Sequence, residues 1–268
     1  MMEPLASFMI ALLLGIIASL MGAGGGFFIV PYLLFTTGLS PHHIAGTSLA
    51  VVLMSSLSST LAYGAQKRID FKLSAIVLLG MMPGSLVGAW LNQSVTHGQY
   101  TLIFGFVLIL SAVSLFKDKK FTIPSLPPRP MPVHRRMIEH DGKVIEYAFG
   151  LRRTILLGFM IGVIAKIIGI GGGVLLVPIM IICFRIHPKY MVATSCLVTF
   201  LSSIVAFSFF ALKSQVAYGL ALPLGIGVMI GAQIGAKLSW RLKSERQTKI
   251  ISVLILAIGL GMVLKNII

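Results

Sequence analysis

Gly22-Ala23-Gly24-Gly25-Gly26, followed by Pro31, returns as Gly169-Ile170-Gly171-Gly172-Gly173, followed by Pro178. The offset of 147 positions holds without a gap from Gly15–Leu91 to Gly162–Leu238. Working outward, it pairs Pro41 with Pro188, Thr47-Ser48 with Thr194-Ser195, Ser55-Ser56 with Ser202-Ser203, Gly84 with Gly231 and Gly88 with Gly235. One fold unit has been used twice, and in each copy glycine interrupts an apolar helix. That pattern belongs to membrane transporters whose site lies where the copies meet.

With 57% hydrophobic and 11% charged residues, the chain cannot cover a globule in water. The segments long enough to cross a bilayer are Leu5–Met21 with its continuation, Ile44–Ala65, Phe71–Leu91, Gln99–Phe116, Ile155–Ile168 with its continuation, Met191–Leu212, Tyr218–Leu238 and Ile250–Leu264. The expected fold is therefore an all-α polytopic membrane protein: two homologous four-helix repeats with glycine-broken first helices, at 1–116 and 154–268. Leu5–Met21 is structure rather than a cleaved leader, because no Lys or Arg precedes it and its equivalent lies mid-chain.

The net charge of +15 reflects loop placement rather than nucleic acid binding, since the basic residues sit between the apolar segments. With eight crossings and a cytoplasmic N-terminus, 14 Lys/Arg fall inside and seven outside, a weak bias. The Lys237–Lys249 connection, with five basic residues, then lies on the wrong side. If a broken element re-entered instead of crossing, the copies would be inverted and that loop would change sides.

Residues 117–153 form the one long polar connection. Pro124, Pro127, Pro128, Pro130 and Pro132 favour an extended spacer, and the alternation around Asp141-Gly142 predicts a small cytoplasmic hairpin with a two-residue turn. A plain linker is one reading of this segment and a docking or regulatory element the other. Gly80, Gly84, Gly88 and Gly227, Gly231, Gly235 are spaced for close helix packing. Cys183 and Cys196 sit in apolar surroundings without metal-ligand spacing and read as packing residues.

Three glycines in a row cannot hold a helix well, and backbone groups freed inside a membrane must find partners. The amides of such a turn, with the N-terminus of the following half-helix, form a positive concavity for an anion. This makes Gly22, Gly24, Gly25 and Gly26, with Gly169, Gly171, Gly172 and Gly173, candidate substrate-binding residues; close packing or a kink is the structural alternative. Thr47, Ser48, Thr194 and Ser195 follow on the next helix of each copy and can donate to an oxyanion or bond back to their own helix. Ser55-Ser56 and Ser202-Ser203, deeper on the same helices, are weaker candidates. Lys166, three residues before the second glycine run, breaks an otherwise apolar segment at membrane depth, and its equivalent is Ser19. It either faces an anionic solute or snorkels to an interface. His42, His43 and His187 lie at segment ends, as interfacial histidines or as carriers of coupled protons.

The duplicated G-x-GGG with the following Val-Pro, the P-x(5)-T-S opening of the next helix and the stretch Pro83–Ala89 (PGSLVGA) resemble the TauE/SafE sulfite exporter family, also called the toluene sulfonate uptake permease family. The resemblance covers nearly the whole chain except the central loop, which is longer than the family leads one to expect. It implies a multi-pass carrier in a bacterial inner membrane for sulfur-containing anions such as sulfite, thiosulfate or organosulfonates, running as exporter or importer. It also supports the glycines, Thr47, Ser48, Thr194 and Ser195 as its site.

A passive anion channel of the same architecture competes with this reading. An intramembrane enzyme is disfavoured, because the chain has no His-Glu-x-x-His, no nucleophile elbow and no carboxylate pair in a crossing. A pure scaffold has no reason to break two helices in register. No Walker A sequence is present, so drive must come from protons, another ion or the substrate gradient. No cofactor or metal is expected, and a homo-oligomer stays open.

Overall fold

The computed structural model describes residues 4–20, 25–116, 132–138, 144–184, 188–238, 253 and 256–262. In chain order the elements are α1 (Pro4–Leu20), α2 (Gly26–Thr36), α3 (Pro41–Ala65), α4 (Phe71–Asn92), α5 (His97–Phe116), β1 (Pro132–Ile138), β2 (Val144–Gly150), α6 (Leu151–Ile167), α7 (Gly173–Phe184), α8 (Pro188–Leu212) and α9 (Tyr218–Leu238). Residues 256–262 are also helical. Within these elements, α3, α4, α8 and α9 are long and apolar enough to cross a membrane, and the other apolar helices are shorter. Large apolar side chains such as Leu79, Trp90 and Phe106 lie on the outer surface, 64–67% exposed, as on a lipid-facing wall.

Glycine sets the tightest helix pairs. A Cβ added at Gly80, Gly84 or Gly88 would come within 1.9, 2.3 and 2.3 Å of the carbonyl oxygens of Ile155, Phe159 and Val163. α4 and α6 therefore lie backbone to backbone, parallel. The equivalent glycines of α9 repeat the arrangement against α1, where Gly227, Gly231 and Gly235 approach the carbonyls of Phe8, Leu12 and Ile16 at 2.7, 2.1 and 2.3 Å. Such close approach is how helices associate without a hydrophobic drive between them. The pairing is exchanged: the first helix of each copy packs on the last long helix of the other.

Polar contacts fix the directions of the rest. Near the start of α3, Thr47 Oγ1 accepts from Ala217 N, beyond the end of α8, at 3.0 Å. Near the start of α8, Thr194 Oγ1 accepts from Asp70 N, beyond the end of α3, at 3.0 Å. α3 and α8 are thus antiparallel. Gln93 and Gln215 exchange two hydrogen bonds of 3.0 and 2.8 Å, which puts the end of α4 beside the start of α9. It follows that α1, α3 and α9 run one way and α4, α6 and α8 the other. Helices at equivalent positions of the two copies are opposed. The turns correspond as well: among the described residues Lys67 and Ser214 are the two non-glycine residues with positive φ, at 54° and 56°, and Arg68 N→Tyr63 O matches Gln215 N→Phe210 O.

The broken elements explain how equal copies come to be opposed. Tyr63 Oη donates to Ser19 O at 2.9 Å, which places the end of α1 beside the last turns of α3. Gly26 begins α2 beside Val52, midway along α3, and α2 then leads into the start of α3. The chain enters along α1 and returns along the half-length α2 to the face it came from. Counting this element as one passage, as the four-crossings-per-copy expectation does, overlooks the return. Pro31 and Pro178 lie inside α2 and α7 rather than ending them.

β1 and β2 form the antiparallel hairpin expected from the central loop, with Ile138 opposite Val144. The two-residue turn expected at Asp141-Gly142 falls, with the rest of 139–143 and the proline-rich stretch 117–131, outside the described residues. The hairpin is docked: Tyr147 and Phe149 are buried, Phe149 packs edge-on against Phe184 at the end of α7, and Tyr147 Oη donates to the Asp70 carboxylate. Asp70 also caps α4, accepting from Lys72 N and Leu73 N at 2.9 and 3.0 Å.

Candidate functional site

α6 ends inside the protein in a Schellman turn, with Ile170 N bonded to Ala165 O at 3.0 Å and Gly169 at φ 72°. Gly171 (φ 83°) and Gly172 (φ 117°) continue in conformations that L side chains rarely adopt. α7 then starts at Gly173, its first bonds running from Leu175 N and Leu176 N to Gly172 O. An unpaired carbonyl at membrane depth costs several kcal/mol. Here four of the freed carbonyls are given side-chain donors. Asn92 Nδ2 reaches Ile167 O at 2.6 Å, Tyr100 Oη Ile168 O at 2.8 Å, Ser48 Oγ Gly169 O at 3.0 Å, and Lys166 Nζ Gly171 O at 2.7 Å.

In the first copy α1 stops at Leu20 and α2 starts at Gly26, with Gly25 at φ 81° accepting from Phe28 N and Ile29 N. Gly22 and Gly24 lie outside the described residues. The two breaks meet. A Cβ on Gly26 would lie 2.9 Å from Ile170 Cα and 2.7 Å from Val52 Cγ2, and one on Gly171 would lie 2.6 Å from Val52 Cγ1 and 2.9 Å from Thr199 Cγ2. Each break thus abuts the midpoint of α3, and the N-termini of α2 and α7 start from this one place.

Lys166 is fully buried, and Nζ donates to Gly171 O and to Ser203 Oγ at 2.6 Å. Both partners are neutral, and two of the three ammonium N–H groups are engaged by them. Lys166 does not snorkel. Its equivalent Ser19 accepts instead from Ser59 Oγ at 3.1 Å. The backbone plan is shared between the copies, but the cation belongs to one side.

Of the residues singled out in the sequence, Gly25, Gly26, Ser48, Lys166, Gly169, Gly171, Gly172 and Gly173 come together at this crossing. Thr47 and Thr194 commit their oxygens to backbone amides of the other copy, and Ser195 Oγ donates to Val192 O on its own helix at 2.8 Å. His43 Nδ1 bonds Ser40 Oγ at 2.8 Å at the start of α3, with the His42 ring 5.7 Å from its own, both remote from the breaks; His187 lies outside the described residues. Cys183 is exposed and Cys196 buried, both free thiols.

Sequence reading passed over Thr199 and underrated Ser55. Both are fully buried, and neither hydroxyl has a hydrogen-bond partner among the described residues. Other crossing-helix hydroxyls bond back to their own turn, as in Ser56 to Val52 O, Ser85 to Met81 O and Ser111 to Val107 O, or across to a neighbouring helix, as in Ser58 to Met229 O; Thr60, half-buried on α3, shares the lack of a partner among the described residues. A signal for Thr199 was available, since it departs from its repeat equivalent Val52 as Lys166 departs from Ser19.

Long apolar helices around two paired helix breaks, with a buried lysine between them, define a multi-pass membrane protein built like a transporter. The chain belongs to the sulfite exporter TauE/SafE family, whose model matches residues 7–262. Its relatives are described as probable membrane transporter proteins. It is 32% identical to the probable membrane transporter YunE of Bacillus subtilis (strain 168), over 97% of this chain and 99% of that protein. A second Bacillus subtilis probable membrane transporter, YjnA, is 28% identical over 95% of this chain and 98% of its own length. A probable membrane transporter of Xylella fastidiosa (strain Temecula1) is 21% identical over 95% and 92%. No solved structure matches the chain.

Proposed function

We propose that the protein is a secondary carrier that moves a small sulfur-containing anion, such as sulfite, thiosulfate or an organosulfonate, across the cytoplasmic membrane by alternating access. The observation that carries this reading is the meeting of two glycine breaks beside fully buried Lys166, which has no carboxylate partner among the described residues. A buried ammonium held only by neutral groups is costly and gains most from an anion. Lys166, Gly25, Gly26, Gly171 and Gly172 form the proposed site, with the N-termini of α2 and α7 adding positive potential.

The copies act as inverted repeats, a reading supported by the opposed directions of α3 and α8. The moving bodies are then the exchanged groups α1–α3–α9 and α4–α6–α8, because separating residues 1–116 from 154–268 would pull apart both glycine-faced pairs. This arrangement supports an orientation with the N-terminus outside. Lys67, Arg68, Lys72, the nine basic residues of the central loop, Arg185, Lys189 and the Lys237–Lys249 connection then share the cytoplasmic face with the hairpin, leaving Lys213 and Lys265 opposite.

Counterflow in proteoliposomes tests the mechanism. Sulfite or thiosulfate preloaded inside accelerates uptake of labelled substrate through a carrier. Uptake indifferent to preloading points to a channel, and no uptake of any sulfur anion removes the reading.

A further inference from the structure

The hydroxyls of Ser55 and Thr199 are fully buried beside the two breaks without a hydrogen-bond partner among the described residues. Ser55 Oγ lies 3.6 Å from where a Cβ on Gly25 would stand, against the start of α2. Thr199 packs against Gly171, just before α7. Val52, one turn before Ser55 on α3, touches both breaks through Gly26 and Gly171, so the Ser55 and Thr199 side chains flank the same crossing, with the Thr199 methyl against Gly171. A buried hydroxyl without a partner forfeits a hydrogen bond, and in lipid the carbonyl one turn back ordinarily supplies it. At these two positions it does not, although Ser56 and Ser202 beside them bond back to Val52 O and Thr199 O.

We propose that Ser55 and Thr199 are solute-contact residues: each hydroxyl donates to an oxygen of the bound solute, one from each copy, with Lys166 supplying the charge. This rests on the anion-carrier reading and narrows it. Two O–H donors set apart on facing helices suit a solute with several acceptor oxygens, an oxyanion or sulfonate, better than a single-atom halide. Such an anion restores to both hydroxyls the hydrogen bonds that burial denies them. The copies contribute unequally, since Ser55 comes from the first while Thr199 and Lys166 come from the second.

Single cysteines test the placement independently of the natural substrate. Ser55→Cys and Thr199→Cys are made in a Cys183→Ser, Cys196→Ala background and treated in membrane vesicles with an anionic sulfonatoethyl or a cationic trimethylammonioethyl methanethiosulfonate, with Ser111→Cys as buried control. Modification of positions 55 and 199 but not 111, at least tenfold faster with the anionic reagent, is the expected result. Protection of 55 and 199 equal to that of 111 overturns the inference. Modification at least as fast by the cationic reagent keeps the contact residues and removes the anion reading instead.

Where a cysteine variant fails to elute as a single species, Ser55→Ala and Thr199→Val supply the answer by thermal shift with sulfite, thiosulfate, a sulfonate and chloride. The expected outcome is an unliganded Tm equal to or above wild type, with apparent affinity for the oxyanions at least tenfold weaker and the chloride response unaltered. A lower unliganded Tm with oxyanion responses intact makes the hydroxyls structural and overturns the proposal.

Discussion

Replacing Lys166 by Met keeps the length of the side chain and removes its charge, and the structure sets the size of two opposing effects. On stability, the substitution orphans Gly171 O and Ser203 Oγ, at about 1–3 kcal/mol each. Against this, the desolvation of a buried ammonium is no longer suffered, a relief of several kcal/mol. The two nearly cancel, so the unliganded variant is expected to lie within about 2 kcal/mol of wild type. On binding there is no such offset. An anion about 4 Å from Nζ at an effective dielectric of 20 gains about 4 kcal/mol, or roughly three orders of magnitude in Kd. Thermal unfolding of the purified protein with and without sulfite, thiosulfate and sulfonates reads both quantities in one assay. The expected pattern is a nearly unmoved baseline Tm with the anion-dependent rise abolished. If Lys166 serves instead only to close the end of α6, where a cation also favours the helix dipole, the pattern reverses. A large fall in baseline stability with an undiminished anion response refutes the reasoning.

Gly231→Ala should be strongly destabilising, by about 3 kcal/mol, because its Cβ would stand 2.1 Å from Leu12 O with no flexible neighbour to yield; Gly84→Ala, 2.3 Å from Phe159 O, should match it in thermal unfolding. Thr47→Val and Thr194→Val each orphan a backbone amide of the other copy, and should lower stability by similar amounts, about 1–3 kcal/mol. Tyr147→Phe removes the donor to Asp70 and should speed proteolytic cleavage in the central loop without altering helix content by circular dichroism. Gly38→Cys, in the exposed connection after α2, should be labelled from outside intact cells by an impermeant thiol reagent, and Lys67→Cys only after permeabilisation; the reverse pattern inverts the orientation.

What sequence could disclose here was whatever is local. Glycine runs lose helix through their own backbone freedom, so Gly169–Gly173 was legible as a break, and α3, α4, α8 and α9 follow from apolar length alone. The alternation around Asp141-Gly142 likewise announced β1 and β2. The direction taken after each break was not local. Whether α2 continues across or returns depends on Gly26 finding room against Val52 and Ile170, and no window of sequence contains those neighbours. The stubborn basic residues from Lys237 to Lys249 were a sign of the return, legible only once the helix directions were known. The P-x(5)-T-S motif read as a row of solute-facing hydroxyls, yet Thr47 and Thr194 bond to residues 170 and 124 positions away, a distance at which spacing carries no information.

The exchange of helices between copies accounts for features that a simple side-by-side duplication leaves unexplained. If each copy folded on itself, the glycine faces of α4 and α9 would meet helices of their own repeat, and the threonine brackets would have no reason to cross. In the observed arrangement α4 meets α6 and α9 meets α1, while Thr47 and Thr194 tie the start of one central helix to the turn beyond the other. Neither copy retains a complete packing surface without its mate, so both must be present before either break can be buried. Symmetry of this kind places the breaks together but does not oblige them to be chemically equal. The substitutions Ser19 to Lys166 and Val52 to Thr199 fall at the crossing itself, where one copy supplies charge and the other mainly shape. A transporter needs its site equally reachable from two sides, which shared backbone geometry provides, and needs its solute held in one orientation, to which divergence between the copies at Lys166 and Thr199 contributes.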